Sequence, residues 1–170
     1  MKRRIIKPPA GLLVRPTTDK AKEGLFNILV NYIDFESISV LDLFAGTGSI
    51  ALEFASRGAT EVIAVDNNIR CVSFLRDVVI KHEINNMNVV RADALKFIKT
   101  STRQFDVVFC DPPYHLQELE SIPERIFQAG LLRPGAMLIM EHPGTVSFER
   151  HPEFIFKRNY SKVHFSFFEV

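Results

Sequence analysis

The sequence predicts an α/β fold: a doubly wound, mostly parallel seven-stranded sheet with its last strand antiparallel and helices on both faces. Three observations predict it. Short β-branched or apolar runs alternate with segments of helical periodicity. A glycine turn separates the first such run from the helix that follows it. The chain then ends in two strand-like runs whose short connection allows only a hairpin.

Thr17, Thr18 and Asp19 are candidate helix caps, and Ala21, Leu25, Ile28, Leu29 and Tyr32 then recur at helical spacing. Ile38–Leu43 reads as the first strand, Gly46-Thr47-Gly48 breaks it, and Ser49–Arg57 reads as a helix closed by Gly58. Glu61–Asp66 is a second strand, followed by a helix from Ile69 with Val72, Leu75 and Val79 on one face. Met87–Arg91 is a third strand and Asp93–Lys99 a short helix. Phe105–Asp111 is almost continuously apolar, as a central parallel strand is, and Pro112-Pro113 stops it. Leu116–Ala129 reads as helix, Pro134-Gly135 as a turn and Ala136–Glu141 as the fifth strand. Runs near Glu153–Lys157 and Val163–Phe168 supply the hairpin.

A chain of 170 residues fits one domain with a short appendage. Its 46% hydrophobic and 24% charged residues are those of an ordinary globular protein. No apolar run approaches the roughly 20 residues that a membrane helix needs, and Met1–Pro9 lacks the apolar stretch of a signal peptide. The reading is cytoplasmic, with no membrane partner. Cys71, Cys110 and the five histidines show no metal spacing, so no metal is expected. His115 and His142 follow strands four and five and are placed near a pocket mouth. Phe148, Phe154, Phe156, Phe165, Phe167 and Phe168 are assigned to the core.

The net charge of +1 hides an asymmetry. Residues 1–22 hold Lys2, Arg3, Arg4, Lys7, Arg15, Lys20 and Lys22 against Asp19 alone, and the rest of the chain is net acidic. The division is therefore a basic arm, 1–22, that contacts substrate, and a domain, 23–170. A localised basic segment suits phosphate binding.

Doubly wound sheets bind ligands at the carboxyl ends of their strands. There, Phe44-Ala45-Gly46-Thr47-Gly48 with Ala51 forms the G-x-G-x-x-A variant of a nucleotide-binding turn. Asp66, followed by Asn67, lies where a carboxylate accepts ribose hydroxyls, and Asp93 with Ala94 lies where adenine would sit. A dinucleotide would bring an anionic pyrophosphate to Asp42, whereas S-adenosyl-L-methionine brings a sulfonium and an ammonium. Acidic strand tips favour the cation.

Strand four ends in Asp111-Pro112-Pro113-Tyr114. Each proline holds its predecessor extended and neither offers an N–H, so the turn presents acceptors. Acceptors suit an aromatic –NH2. The Asp111 carboxylate and the Pro112 carbonyl would take its two N–H groups and aim the nitrogen lone pair, while Pro113 and Tyr114 face the base. Asp111, Pro112 and Tyr114 are the catalytic candidates.

These motifs, with Arg15-Pro16-Thr17-Thr18-Asp19, Glu23, Phe26, Asn27 and Glu141-His142, resemble the RsmD-like methyltransferases from about Leu12 to Phe168. The resemblance implies a Rossmann-like class I methyltransferase fold and methylation of guanine N2 in small-subunit ribosomal RNA, alone or within a particle. It places Arg15, Thr17 and Thr18 at the cofactor and substrate entrance, and Lys2, Arg3, Arg4, Lys7 and Lys20 near phosphates. Gly24 departs from the helix former expected there. Two other readings remain: an adenine or cytosine amino-methyltransferase of DNA, for whose recognition region the chain has little room, and a binder of a nucleotide cofactor without chemistry.

Overall fold

The computed structural model describes Ile6, Pro8, Ala10 and residues 18–170. Along the chain run α1 (Asp19–Leu29), β1 (Ser39–Leu43), α2 (Ser49–Ser56), β2 (Glu61–Asp66), α3 (Ile69–Lys81), β3 (Met87–Arg91) and α4 (Ala94–Thr100). There follow β4 (Phe105–Cys110), α5 (Ile122–Gln128), β5 (Leu132–His142), β6 (Phe154–Tyr160) and β7 (Val163–Glu169). The strands form one seven-stranded sheet in the order β3-β2-β1-β4-β5-β7-β6. Neighbours from β3 to β5 are parallel, and β7 runs antiparallel to both β5 and β6. This is the doubly wound, mostly parallel arrangement with an antiparallel last strand that the sequence predicts. Strand order reverses between β1 and β4, which opens a crevice at their carboxyl ends.

Side chains alternate across the strands and feed two cores. On one face Val40, Val107, Phe109, Ile139, Phe165 and Phe167 meet Leu25 and Phe26 of α1, Phe54 of α2 and Leu75 of α3. On the other, Leu41, Leu43, Val108, Leu138 and Met140 meet Ile98 of α4 and Ile126 of α5. The expected core phenylalanines are there: Phe148, Phe165, Phe167 and Phe168 are buried, and Phe154 and Phe156 pack half-buried against the clusters. At the opposite end of the sheet one oxygen of Asp106 accepts from Ser39 N–H at 2.8 Å, Ser39 Oγ at 2.7 Å and Arg133 at 2.7 Å, locking β1 to β4.

Four boundaries differ from the sequence reading. The helix expected over 116–129 begins only at Ile122, because Pro123 has no N–H and is accommodated in a first helical turn. Pro134-Gly135 does not end a strand. Both lie inside β5 at a register shift against β4, with Gly135 at φ 76°, and such an irregularity tolerates a proline. The final connection shrinks to Ser161-Lys162, since Tyr160 still pairs with Val163. Helix α1 stops at Leu29, and exposed Tyr32 instead packs its ring 5.6 Å from that of Phe156.

The structure also explains Gly24. A Cβ there would lie 2.2 Å from the ring of Tyr160, so that ring, carried on β6, packs directly on the bare backbone of α1. Gly24→Ala should therefore destabilise the chain by about 1–3 kcal/mol, overpacking outweighing a helix-propensity gain of up to about 1 kcal/mol. In a Tyr160→Ala background the same change should become neutral or stabilising. Urea unfolding of the four proteins measures this; a stabilising Gly24→Ala in the wild-type background would refute the packing account.

Candidate active site

The turn after β1 is built by hydrogen bonds rather than by sequence alone. Ala45 N–H donates to Val65 O at 2.9 Å, and Gly46 N–H donates to Asp66 Oδ2 at 2.7 Å. The other Asp66 oxygen accepts from Asn68 N–H at 2.8 Å. One carboxylate at the tip of β2 thus holds two loops. Phe44 takes φ 61°, a strained value for a residue with a Cβ, and Gly46 takes φ 54°. Gly48 serves packing: at φ 77° it starts α2, and a Cβ there would meet Leu75 Cδ1 at 2.5 Å.

Asp42 is 1% exposed. Its Oδ2 accepts from Ala51 N–H at 3.0 Å, while Oδ1 has no hydrogen-bond partner among the described residues. Burial pushes its carboxyl well above the usual range; the charges of Asp66 and Glu141 push the same way, and the Ala51 hydrogen bond only partly offsets them.

On the far side of the crevice Asp111 N–H donates to Leu43 O at 3.4 Å, carrying the β1–β4 ladder one residue past β4. Leu116 N–H donates to Pro113 O at 2.9 Å and closes a turn around Tyr114. The Tyr114 hydroxyl donates to Glu141 Oε1 at 3.4 Å.

One cavity of about 560 Å³ spans both halves, from Gly46 and Asp66 to Pro112 and Glu141. That size is within the usual range for small-molecule sites. Asp42, Asp66, Asp93, Asp111 and Glu141 all line it, and no Lys or Arg does among the described residues. Phe44, Ala45, Thr47, Asn67, Pro113 and Tyr114 line it as expected. Asp93 does so while its side chain also accepts from Lys96 N–H at 2.9 Å as the cap of α4.

Other expected residues lie elsewhere. Gly48 is not in the cavity wall for the reason given above, and Ala94 is buried in the core under α4. Thr18 spends its hydroxyl capping α1, accepting from Ala21 N–H at 3.2 Å, and Lys20 is exposed on that helix; neither lines the cavity. Arg3, Arg4, Arg15 and Thr17, with Lys2 and Lys7, lie outside the described residues. His115 does reach the cavity, but His142 does not. It is buried on the opposite face of β5, where Nε2 meets Ser166 Oγ at 2.8 Å and Nδ1 meets Pro143 O at 3.0 Å. Burial lowers its pKa. No cluster of residues able to hold a metal ion occurs among the described residues.

Two residues gained importance only in three dimensions. Glu141 ends the apolar run of β5, and the rule that placed ligands at the ends of the first four strands reaches it when extended by one. Lys22 donates from Nζ to Ser49 Oγ at 3.1 Å, beside the cavity wall. Nothing in its spacing signals that contact.

The chain is 28% identical over 134 residues to ribosomal RNA small subunit methyltransferase D of Buchnera aphidicola, spanning 79% of this chain and 68% of that one. It is 34% identical over 132 residues to the enzyme of the same name from Haemophilus influenzae, spanning 75% and 67%. Its fold superposes with a TM-score of 0.73, at 21% identity, on a Thermus thermophilus 16S rRNA N2 G1207 methyltransferase in complex with AdoMet and guanosine, spanning 94% of this chain and 45% of that one. A family model described as conserved hypothetical protein 95 matches residues 1–169. The chain therefore belongs to that family, as the resemblance of its motifs to the RsmD-like methyltransferases leads one to expect.

Proposed function

We propose that the protein uses S-adenosyl-L-methionine to methylate the exocyclic N2 of a guanine in small-subunit ribosomal RNA, working in the cytoplasm. The observation that carries this reading is the single acidic cavity joining the glycine turn to Asp111-Pro112-Pro113-Tyr114, with an unsatisfied carboxylate oxygen on Asp42. A pyrophosphate would meet that oxygen as a like charge, whereas an ammonium or sulfonium satisfies it. The names of the two ribosomal RNA relatives support the substrate class, and the bound guanosine of the Thermus structure supports the base.

Bound S-adenosyl-L-methionine supplies a methyl carbon on a positive sulfur, whose C–S bonding pair stays with sulfur as the N–C bond forms. Asp42 would hold the cationic end. Asp66 keeps acceptor capacity on both oxygens beyond its two backbone bonds and would take the ribose hydroxyls. Asp93, Asn67 and the backbone near Ala94 would border the adenine. Asp111 and the Pro112 carbonyl would accept the two N–H groups of the target amine, localising its lone pair, and Asp111 or water takes the proton released afterwards. Tyr114 offers a stacking face worth about 1–3 kcal/mol. Within the arm 1–22, Arg3, Arg4 and Lys20 would meet the RNA backbone, and Arg15, Thr17 and Thr18 would border the substrate entrance.

Three experiments test this. Ribosomal RNA from cells lacking the gene should lose one N2-methylguanine that the wild-type gene restores. If ribosomal RNA is unchanged and a methylated adenine vanishes from DNA, the substrate is wrong. Asp111→Ala should cut turnover by about 10²-fold or more while S-adenosylhomocysteine affinity stays within a few-fold; equal loss of both would move Asp111 into the cofactor wall.

Asp42→Asn should stabilise the ligand-free protein near neutral pH. In the unfolded chain Asp42 titrates near 3.9. Because its folded value is higher, native wild type loses stability as pH rises from about 4 through that value, and the neutral amide does not. The Tm gain should open over that window, amount to a few degrees (about 2–4 °C per kcal/mol) and vanish below about pH 4. Affinity for S-adenosyl-L-methionine should fall about tenfold, as expected for a charge-assisted contact. Calorimetry showing unchanged affinity would detach Asp42 from the cofactor.

A further inference from the structure

Glu141 is 3% exposed, yet it lines the cavity beside Asp111 and Tyr114. Its place follows from register. Cys110 of β4 pairs with Met140 of β5, so Asp111 and Glu141 are the next step along adjacent strands. Both continue the alternation of Phe109 and Ile139, whose side chains enter the core on the α1–α3 face. Parallel neighbours lie about 4.8 Å apart, so the two residues leave adjacent strands side by side, and both line the pocket.

Resting on the reading that the base is guanine, we infer that Glu141 selects it by accepting the ring N1–H next to the target amine. The chemistry of the three amino bases separates them at one atom. In guanine the ring nitrogen beside the amine carries a proton and donates. In adenine and cytosine the corresponding ring nitrogen is an acceptor. Asp111 and the Pro112 carbonyl satisfy only the amine, which all three bases share, so they cannot discriminate. A second carboxylate one strand away completes a row of acceptors that only guanine fills with donors; adenine or cytosine would set a ring lone pair against a buried anion. The Tyr114 hydroxyl, donating to Glu141 Oε1 at 3.4 Å, helps fix the position of that carboxylate.

The test uses small subunits reconstituted from ribosomal RNA carrying either guanine or 2-aminopurine at the nucleotide mapped above. 2-Aminopurine keeps the 2-amino group but has an acceptor at N1. Wild type should prefer guanine in kcat/KM by at least about tenfold, the discrimination that one specific polar contact supplies. Glu141→Gln, which can donate to N1, should reduce the guanine to 2-aminopurine ratio by about tenfold or more. Tyr114→Phe should lower both substrates and keep the ratio on the guanine side. A Tm rise with S-adenosylhomocysteine shows that each variant is folded.

If Glu141→Gln lowers both substrates equally, as Tyr114→Phe does, the carboxylate merely holds the tyrosine and the inference is overturned. Should Glu141→Gln not fold, wild type alone decides: methylation of both bases within threefold overturns it too. Wild type inactive on the guanine particle but active elsewhere would defeat the proposed substrate itself, a separate result.

Discussion

A carboxylate deprived of water and given only one hydrogen bond is an expensive thing to keep in a core. Among the described residues Asp42 is in that position, at the middle of the sheet, and the rest of the site is arranged around it. Ala51 N–H, in the first turn of α2, satisfies one oxygen. The other has no partner among the described residues, and Asp66 and Glu141 make its charge costlier still. Such a group is tolerable in a protein whose normal state includes a cation at that point, because removing one partner of a buried pair is what makes the remaining charge so destabilising. Under the proposed function, the bound cation would be the partner that makes this buried carboxylate tolerable.

Preorganisation follows the same logic at the neighbouring strand. Asp66 holds the glycine turn and the Asn67-Asn68 corner through two backbone N–H groups. The loop is thus set by the same carboxylate that would meet the ligand's hydroxyls, and binding there requires no large rearrangement. Phe44 at φ 61° shows that the turn is over-determined, since nothing local would choose that conformation for a phenylalanine.

Much of this was legible in the sequence because parallel sheets place their strand ends together whatever the side chains do. Strand runs, the glycine turn and the positions of Asp42, Asp66, Asp93 and Asp111 needed only period and order. What escaped was set by contacts between distant segments. His142 and Glu141 are adjacent in sequence, yet alternation sends one to Ser166 on one face and the other into the cavity. Gly24 looks like a flaw in a helix until Tyr160, more than a hundred residues later, lies across it. Gly48 reads as a ligand glycine in the turn motif, but its need is steric, against Leu75. Pro134-Gly135 carries the composition of a turn and is overridden by the ladder on either side.

The electrostatic layout explains how such an acidic pocket can serve a polyanion. An RNA backbone is repelled by five carboxylates, and no Lys or Arg among the described residues enters the cavity to draw a phosphate in. At its edge, among the described residues, the ammonium of Lys22 is held by Ser49, at the start of α2. If the basic arm meets the RNA as proposed, charge is sorted by depth, basic at the arm and acidic within. Under the proposed function a nucleotide can satisfy both only by leaving its phosphates outside and turning its base inward. The base has to be out of its stack for methylation in any case. The seat of α1 on the Tyr160 ring helps place the helix that carries Lys22 beside the cavity edge.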